Sequence, residues 1–260
     1  MREGSELGSM ILAADYSYGA VHLVGFALVL AVAAVLAFVA ASKRISDKAK
    51  DITIACVALF QLGFEVFWRI LFLCQGSPFL SLWPYYPCNL AGILLPLALL
   101  FHNERWKECF YLFGFLGGIV TFVYPVGIFD HPYLTFGILK SILQHTGILF
   151  IPLFEYVRGT YRPRLENFGY VLLGIVIHIA NSYGLSYVFG YEGDYMYVFS
   201  GLPFVIPGVP QYVTFSVFAL AVLFLSNWAA DPKGVSRILR EHKAKKGAGG
   251  NSLGNNSLVG

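Results

Sequence analysis

A cysteine, two histidines, a glutamate, an arginine, a lysine and several amides sit inside otherwise apolar stretches of this 260-residue chain. Gln61, Glu65 and Arg69 recur every four residues, which places them on one helix face and lets Glu65 and Arg69 pair. The run Trp83-Pro84-Tyr85-Tyr86-Pro87-Cys88-Asn89 sets a thiol at the start of regular helix, where backbone N–H groups and the helix dipole favour a thiolate. Further on, Lys140 and Gln144 share a face with His145 beside it, and His178 and Asn181 share another at i,i+3. A thiol with a histidine in reach, and Asn or Arg as oxyanion donors, is the equipment of nucleophilic acyl transfer. Each group also has a plainer reading. Glu65 and Arg69 suit a structural ion pair, Cys88 a packed small hydrophobe, and either histidine a hydrogen-bonded core residue.

The elements that position these groups are membrane spans. The chain is 57% hydrophobic and 13% charged, with mean hydropathy +0.65, whereas soluble domains carry about 25% charged residues. A bilayer core of about 30 Å needs about 20 residues of helix. Seven stretches meet that need: Gly19–Ser42, Ile52–Cys74, Leu82–Phe101, Cys109–Ile128, Tyr133–Val157, Asn167–Val188 and Gln211–Ala229. The expected organisation is a segment 1–18, a membrane domain 19–229 and a basic, low-complexity tail 230–260. Tyr197–Pro210, with three prolines, reads as a short re-entrant piece. The net charge of +3 is too small for a nucleic-acid partner. Neither a nucleotide motif nor metal-ligand spacing occurs, Cys56, Cys74, Cys88 and Cys109 included, so neither cofactor nor metal is expected. Gly114, Gly117 and Gly118 read as close helix packing.

Orientation follows the basic residues. Lys43, Arg44, Lys48 and Lys50 follow the first span, Arg105 and Lys107 the third, and Arg158, Arg162 and Arg164 the fifth. The tail holds six more, while the loops after spans two, four and six hold none. Cytoplasmic loops concentrate Lys and Arg, so the N-terminus lies outside the cytoplasm and the C-terminus inside. At about 1.5 Å per residue from the outer end, Arg69, Cys88, Lys140 and Asn181 lie about 7–11 Å deep. Glu65, His145 and His178 follow at about 13–18 Å. These groups form one layer in the outer half of the membrane, and no such cluster is expected in the inner half.

Several segments, in order, resemble the YwaF-like integral membrane protein family, which includes the acyltransferase transmembrane protein 164. They are Glu65, Pro84–Asn89, Val123-Tyr124-Pro125, Gln144-His145-Thr146-Gly147, His178-Ile179-Ala180-Asn181-Ser182-Tyr183, and Asp194-Tyr195-Met196-Tyr197 followed by Pro203. The resemblance implies a six- or seven-helix fold like the androgen-induced membrane hydrolases. It also implies, for some members, acyl transfer to a lysophospholipid, with the nucleophile at Cys88 and the base at His145. Tyr86 departs from the pattern, since many bacterial relatives carry a histidine two residues before the cysteine. The expected activity is therefore a membrane-embedded lipid acyltransferase or esterase acting on phospholipids. In it Glu65, Arg69, Asn89, Gln144, Lys140, His178 and Asn181 orient or stabilise. The protein is a multi-pass component of a bacterial cytoplasmic membrane or of a eukaryotic endomembrane or plasma membrane. A transporter or channel using the same polar residues is the alternative; no internal repeat supports it. The topology predicts that a fluorescent reporter fused after Gly260 is quenched only by agents that enter the cytoplasm; quenching by an impermeant agent from outside would reverse the orientation.

Overall fold

A computed structural model describes residues 16, 18–125, 128, 129, 131–191, 193–196 and 206–240. The 1–15 segment, most of the expected re-entrant piece and the tail beyond Arg240 lie outside the described residues. The described residues form helices α1 (Ala20–Ala41), α2 (Asp47–Cys74), α3 (Pro87–Leu100), α4 (Glu104–Val123), α5 (Phe136–Arg158), α6 (Leu165–Val188) and α7 (Gln211–Ala230). Six are long and apolar enough to cross a membrane. The seventh, α3, has 14 residues, about 21 Å of helix, and is preceded by a 3-10 turn at Phe79–Leu82. The protein is a multi-pass integral membrane helix bundle.

Side chains at the boundaries account for several helix starts. Ser46 Oγ accepts the Ala49 N–H, Asn103 Oδ1 the Trp106 N–H and Thr135 Oγ1 the Ile138 N–H. Each satisfies a donor that the first turn leaves without a helical partner. Gly159 closes α5 in the left-handed region at φ 86°, where a Cβ would be strained.

Several span limits differ from those read in the sequence: α2 begins at Asp47, not Ile52, and α4 ends at Val123, not Ile128. The third helix begins at Pro87, not Leu82, because Pro84 and Pro87 cannot donate to a helical ladder. Pro87 takes the first helical position, where no donor is needed. The fourth begins at Glu104, not Cys109, so Lys107 and Glu108 lie within the helix and are buried. Lys107 Nζ is 3.1 Å from Glu155 Oε1 and 2.9 Å from Glu104 Oε1. Glu108 accepts from Asn167 Nδ2 at 3.0 Å and from the Tyr161 hydroxyl at 3.5 Å. Burial, then the Glu108 charge, pushes the loop residue Tyr161 well above the usual phenol range and keeps it a donor. Charges that read as loop residues are thus internally paired where α4 begins and α5 ends.

The core lies between α2, α3, α4 and α5, around Ala58, Leu95, Tyr111, Ile148, Ile151 and Phe154. Outward faces of α1 and α7 carry exposed Leu28, Phe38, Val217 and Leu225, as lipid-facing helices do. Arg158 at the end of α5 pairs with Asp51 on α2. At the opposite end, the Tyr18 hydroxyl and His22 Nε2 bond the Val123 and Phe122 carbonyls at 2.9 Å, fastening α1 to α4.

Glycine sets the closest approach of α2 and α5. A Cβ on Gly147 would fall on the Gln61 side chain, whereas one on Gly169 would meet no heavy atom within 4 Å. Gly147→Ala is expected to destabilise the protein by about 1–3 kcal/mol through overpacking. Gly169→Ala is expected to match or slightly exceed the wild type. Thermal unfolding in detergent measures both, and equal midpoints for the two variants would contradict this packing.

Candidate functional site

The polar layer begins in α2. Glu65 is 1% exposed, and its Oε2 accepts from Arg69 Nη1 at 2.5 Å and from Trp68 Nε1 at 3.0 Å. Its Oε1 accepts from Gln61 Nε2 at 3.4 Å. Three donors from its own helix therefore satisfy a carboxylate that would otherwise be prohibitive in a membrane interior. Arg69 Nε also donates to the Leu82 carbonyl at 3.1 Å, reaching the chain that leads into α3.

That leading segment has few backbone donors and its carbonyls need partners. Asn181 Nδ2 donates to the Pro84 carbonyl at 2.6 Å and Ser182 Oγ to the Tyr85 carbonyl at 2.5 Å. Trp83 Nε1 donates to Asn181 Oδ1 at 2.8 Å. Asn181 and Ser182 stand in a π-helical turn, Ala180–Leu185, within α6; such turns recur at functional sites. Held on both sides, the segment delivers Cys88 to the second position of α3 and Asn89 to the third.

Facing it, α5 supplies Lys140, Ser141, Gln144 and His145. Gln144 Nε2 donates to Asn89 Oδ1 at 2.7 Å, and the Cys88 thiol lies 4.0 Å from that same oxygen. The residue after the cysteine is thus bonded to the residue before the histidine, which fixes the register of α3 against α5. His145 Nδ1 lies 2.8 Å from the Ser141 carbonyl. A carbonyl only accepts, so Nδ1 carries the proton and Nε2 keeps its lone pair.

Cys88, Asn89, Lys140, Gln144 and His145 all line one cavity of about 510 Å³. From α4, Gly114, Gly117, Gly118 and Thr121 line it beside Phe113 and Val120; Tyr86, Tyr195 and Met196 also line it. Gly114 and Gly118 pack closely against Leu95 and Leu149, as the packing reading expects, but a Cβ on Gly117 would meet no heavy atom within 4 Å. Gly117 widens the cavity instead of admitting a helix. Four of the expected site residues lie outside the lining. Glu65 and Arg69 form the network behind it, and Asn181 braces the α3 entry. His178 is 0% exposed, bonds the Gly174 carbonyl through Nδ1 at 2.8 Å and packs on Phe110 and Phe113. Ser141 and Trp68 are not among the expected site residues, and Ser182 and Tyr195 enter the sequence reading only within the family-like segments. Ser182 sits beside Asn181 in the sequence, and Trp68 stands between Glu65 and Arg69 at helical spacing, so both carried a signal.

Residues 17–226 match the model of the TMEM164 family, and the chain belongs to that family. No match was found among curated proteins or among solved structures.

If Glu65 is the counter-ion that permits Arg69 inside the bundle, removing it alone strands a buried cation. Glu65→Ala is expected to cost about 3–5 kcal/mol, and Glu65→Ala combined with Arg69→Met to recover most of that loss. Unfolding midpoints of the two singles and the double decide it; additive losses would show that the two residues are not coupled.

Proposed function

We propose that this TMEM164-family protein is a membrane-embedded acyltransferase of phospholipids, with Cys88 as nucleophile and His145 as base. The observation that carries the reading is the Gln144–Asn89 bond at 2.7 Å, flanked by His145 on one side and Cys88 on the other. Cys88 and His145 both line one cavity, and the Ser141 carbonyl, 2.8 Å from His145 Nδ1, supports the tautomer whose Nε2 would accept a proton.

In the first half-reaction His145 Nε2 takes the Cys88 proton as sulfur adds to the carbonyl carbon of an acyl ester. The oxyanion is stabilised by donors at the start of α3, the Cys88 and Asn89 backbone N–H groups. The intermediate collapses with cleavage of the ester C–O bond, and His145 returns the proton to the departing lysolipid oxygen. An acyl thioester on Cys88 remains. In the second half the hydroxyl of a lysophospholipid loses its proton to Nε2 and attacks the thioester. The C–S bond breaks and the thiol regains the proton. Water in place of the acceptor hydroxyl gives hydrolysis, so the apolar lining of the cavity favours transfer.

Purified protein in detergent, given a phospholipid with a labelled acyl chain and an unlabelled lysophospholipid, is expected to move the label between them. Cys88→Ala should abolish the exchange, and His145→Ala should slow it by about 10²–10⁴-fold, both with unfolding midpoints near the wild type. Undiminished exchange in either variant sinks the mechanism.

A further inference from the structure

The cavity carries one formal charge among its described lining residues, and that charge is Lys140. No carboxylate lines the wall, and none lies within 4 Å of Nζ among the described residues. The charge of Glu65 acts on it from further away, but that group is already held by Arg69, Trp68 and Gln61. Arg69 is neutralised by Glu65. Asp194, in the outer loop, accepts from the Tyr183 hydroxyl at 2.9 Å. The ammonium rests instead 3.9 Å over the Trp68 ring, an attraction worth less than an ion pair in a place shielded from water. A cation at membrane depth with no carboxylate in contact among the described residues marks a place for an anion.

Position narrows the anion. Lys140 precedes His145 by five residues on α5, about 7.5 Å nearer the outer end of the helix. The glycerol backbone alone separates a phospholipid's phosphate from its acyl esters. A lipid whose ester carbonyl reaches Cys88 and His145 therefore carries its phosphate on the outer side, toward Lys140. Its acyl chain then runs along the small-residue wall at Gly117 and Thr121.

We propose that Lys140 holds the phosphate of the bound lipid and makes the cavity selective for phosphate-bearing over uncharged acyl glycerides. The inference rests on the lipid-binding reading of the cavity but not on acyl transfer. Its test accordingly uses full-length Cys88→Ala protein, which cannot turn over. In detergent it is photolabelled with lysophosphatidylcholine and with monoacylglycerol bearing the same diazirine acyl chain, and occupancy is read by mass spectrometry against concentration. The Cys88→Ala protein is expected to bind the lysophospholipid at least about tenfold more tightly, as a buried charge-assisted contact implies. Adding Lys140→Met should bring the two lipids within about twofold of each other, chiefly by weakening the lysophospholipid. Lys140→Arg should keep the preference, and Lys140→Gln carries the same expectation as Lys140→Met if the latter fails to fold. Millimolar inorganic phosphate should not displace the lysophospholipid. Displacement by it would make this a free-phosphate site and overturn the assignment. Absence of any preference before Lys140 is changed, or a preference that survives Lys140→Met, would overturn it as well. So would parallel loss of both lipids. If binding survives Lys140→Met and only exchange by the Cys88-containing enzyme suffers, Lys140 serves the thiolate and not the phosphate. Failure of acyl exchange alone would leave the lipid preference standing and count only against the catalytic mechanism.

Discussion

Backbone carbonyls in a membrane interior must be bonded by protein, and the extended segment before α3 imposes that demand most sharply here. Two prolines keep the segment out of the helix. The carbonyls of Leu82, Pro84 and Tyr85 are then taken up by Arg69, Asn181 and Ser182. That single requirement explains why α2 bears an arginine and α6 a π-helical turn. It also explains why Glu65 must be present, since Arg69 needs a counter-ion. The polar groups of α2 and α6 build the frame; those of α3 and α5 are left to face the cavity.

The frame fixes where reactive groups can stand. Cys88 begins a helix whose start cannot slide, because Pro87 occupies the first position and the preceding carbonyls are anchored. On α5, the Ser141 carbonyl sets the orientation of His145 and the Gln144–Asn89 bond sets its register. On the proposed reading, preorganisation of this kind would let the Cys88 thiol and the His145 imidazole act without costly rearrangement. Open space beside Gly117 on α4 would give the proposed lipid substrate room.

Much of the bundle was legible because hydropathy and segment length report span number. What they report poorly is where a helix begins when charges are buried in pairs. Lys107 and Glu108 read as loop residues, and only Glu155, Tyr161 and Asn167, distant in sequence, make them core residues. The short α3 was likewise hidden by Leu82–Tyr86, apolar enough to extend a span that its prolines forbid. In the polar layer, residue counting gave depth but not azimuth. Cys88, Asn89, Lys140, Gln144 and His145 face one cavity, whereas Glu65, Arg69, His178 and Asn181, at similar depths, face the framework. No spacing rule within one helix distinguishes these two sets, because the distinction depends on how neighbouring helices are rotated.

The central claim is that Cys88 carries the acyl group between two lipids. Intact-protein mass spectrometry after brief incubation with a diacyl phospholipid and an acid quench tests this most directly. The predicted result is one acyl mass on Cys88, removed by neutral hydroxylamine as a thioester is, and absent from Cys88→Ala. Phospholipid turnover with no such adduct, or an adduct on another residue, would contradict it.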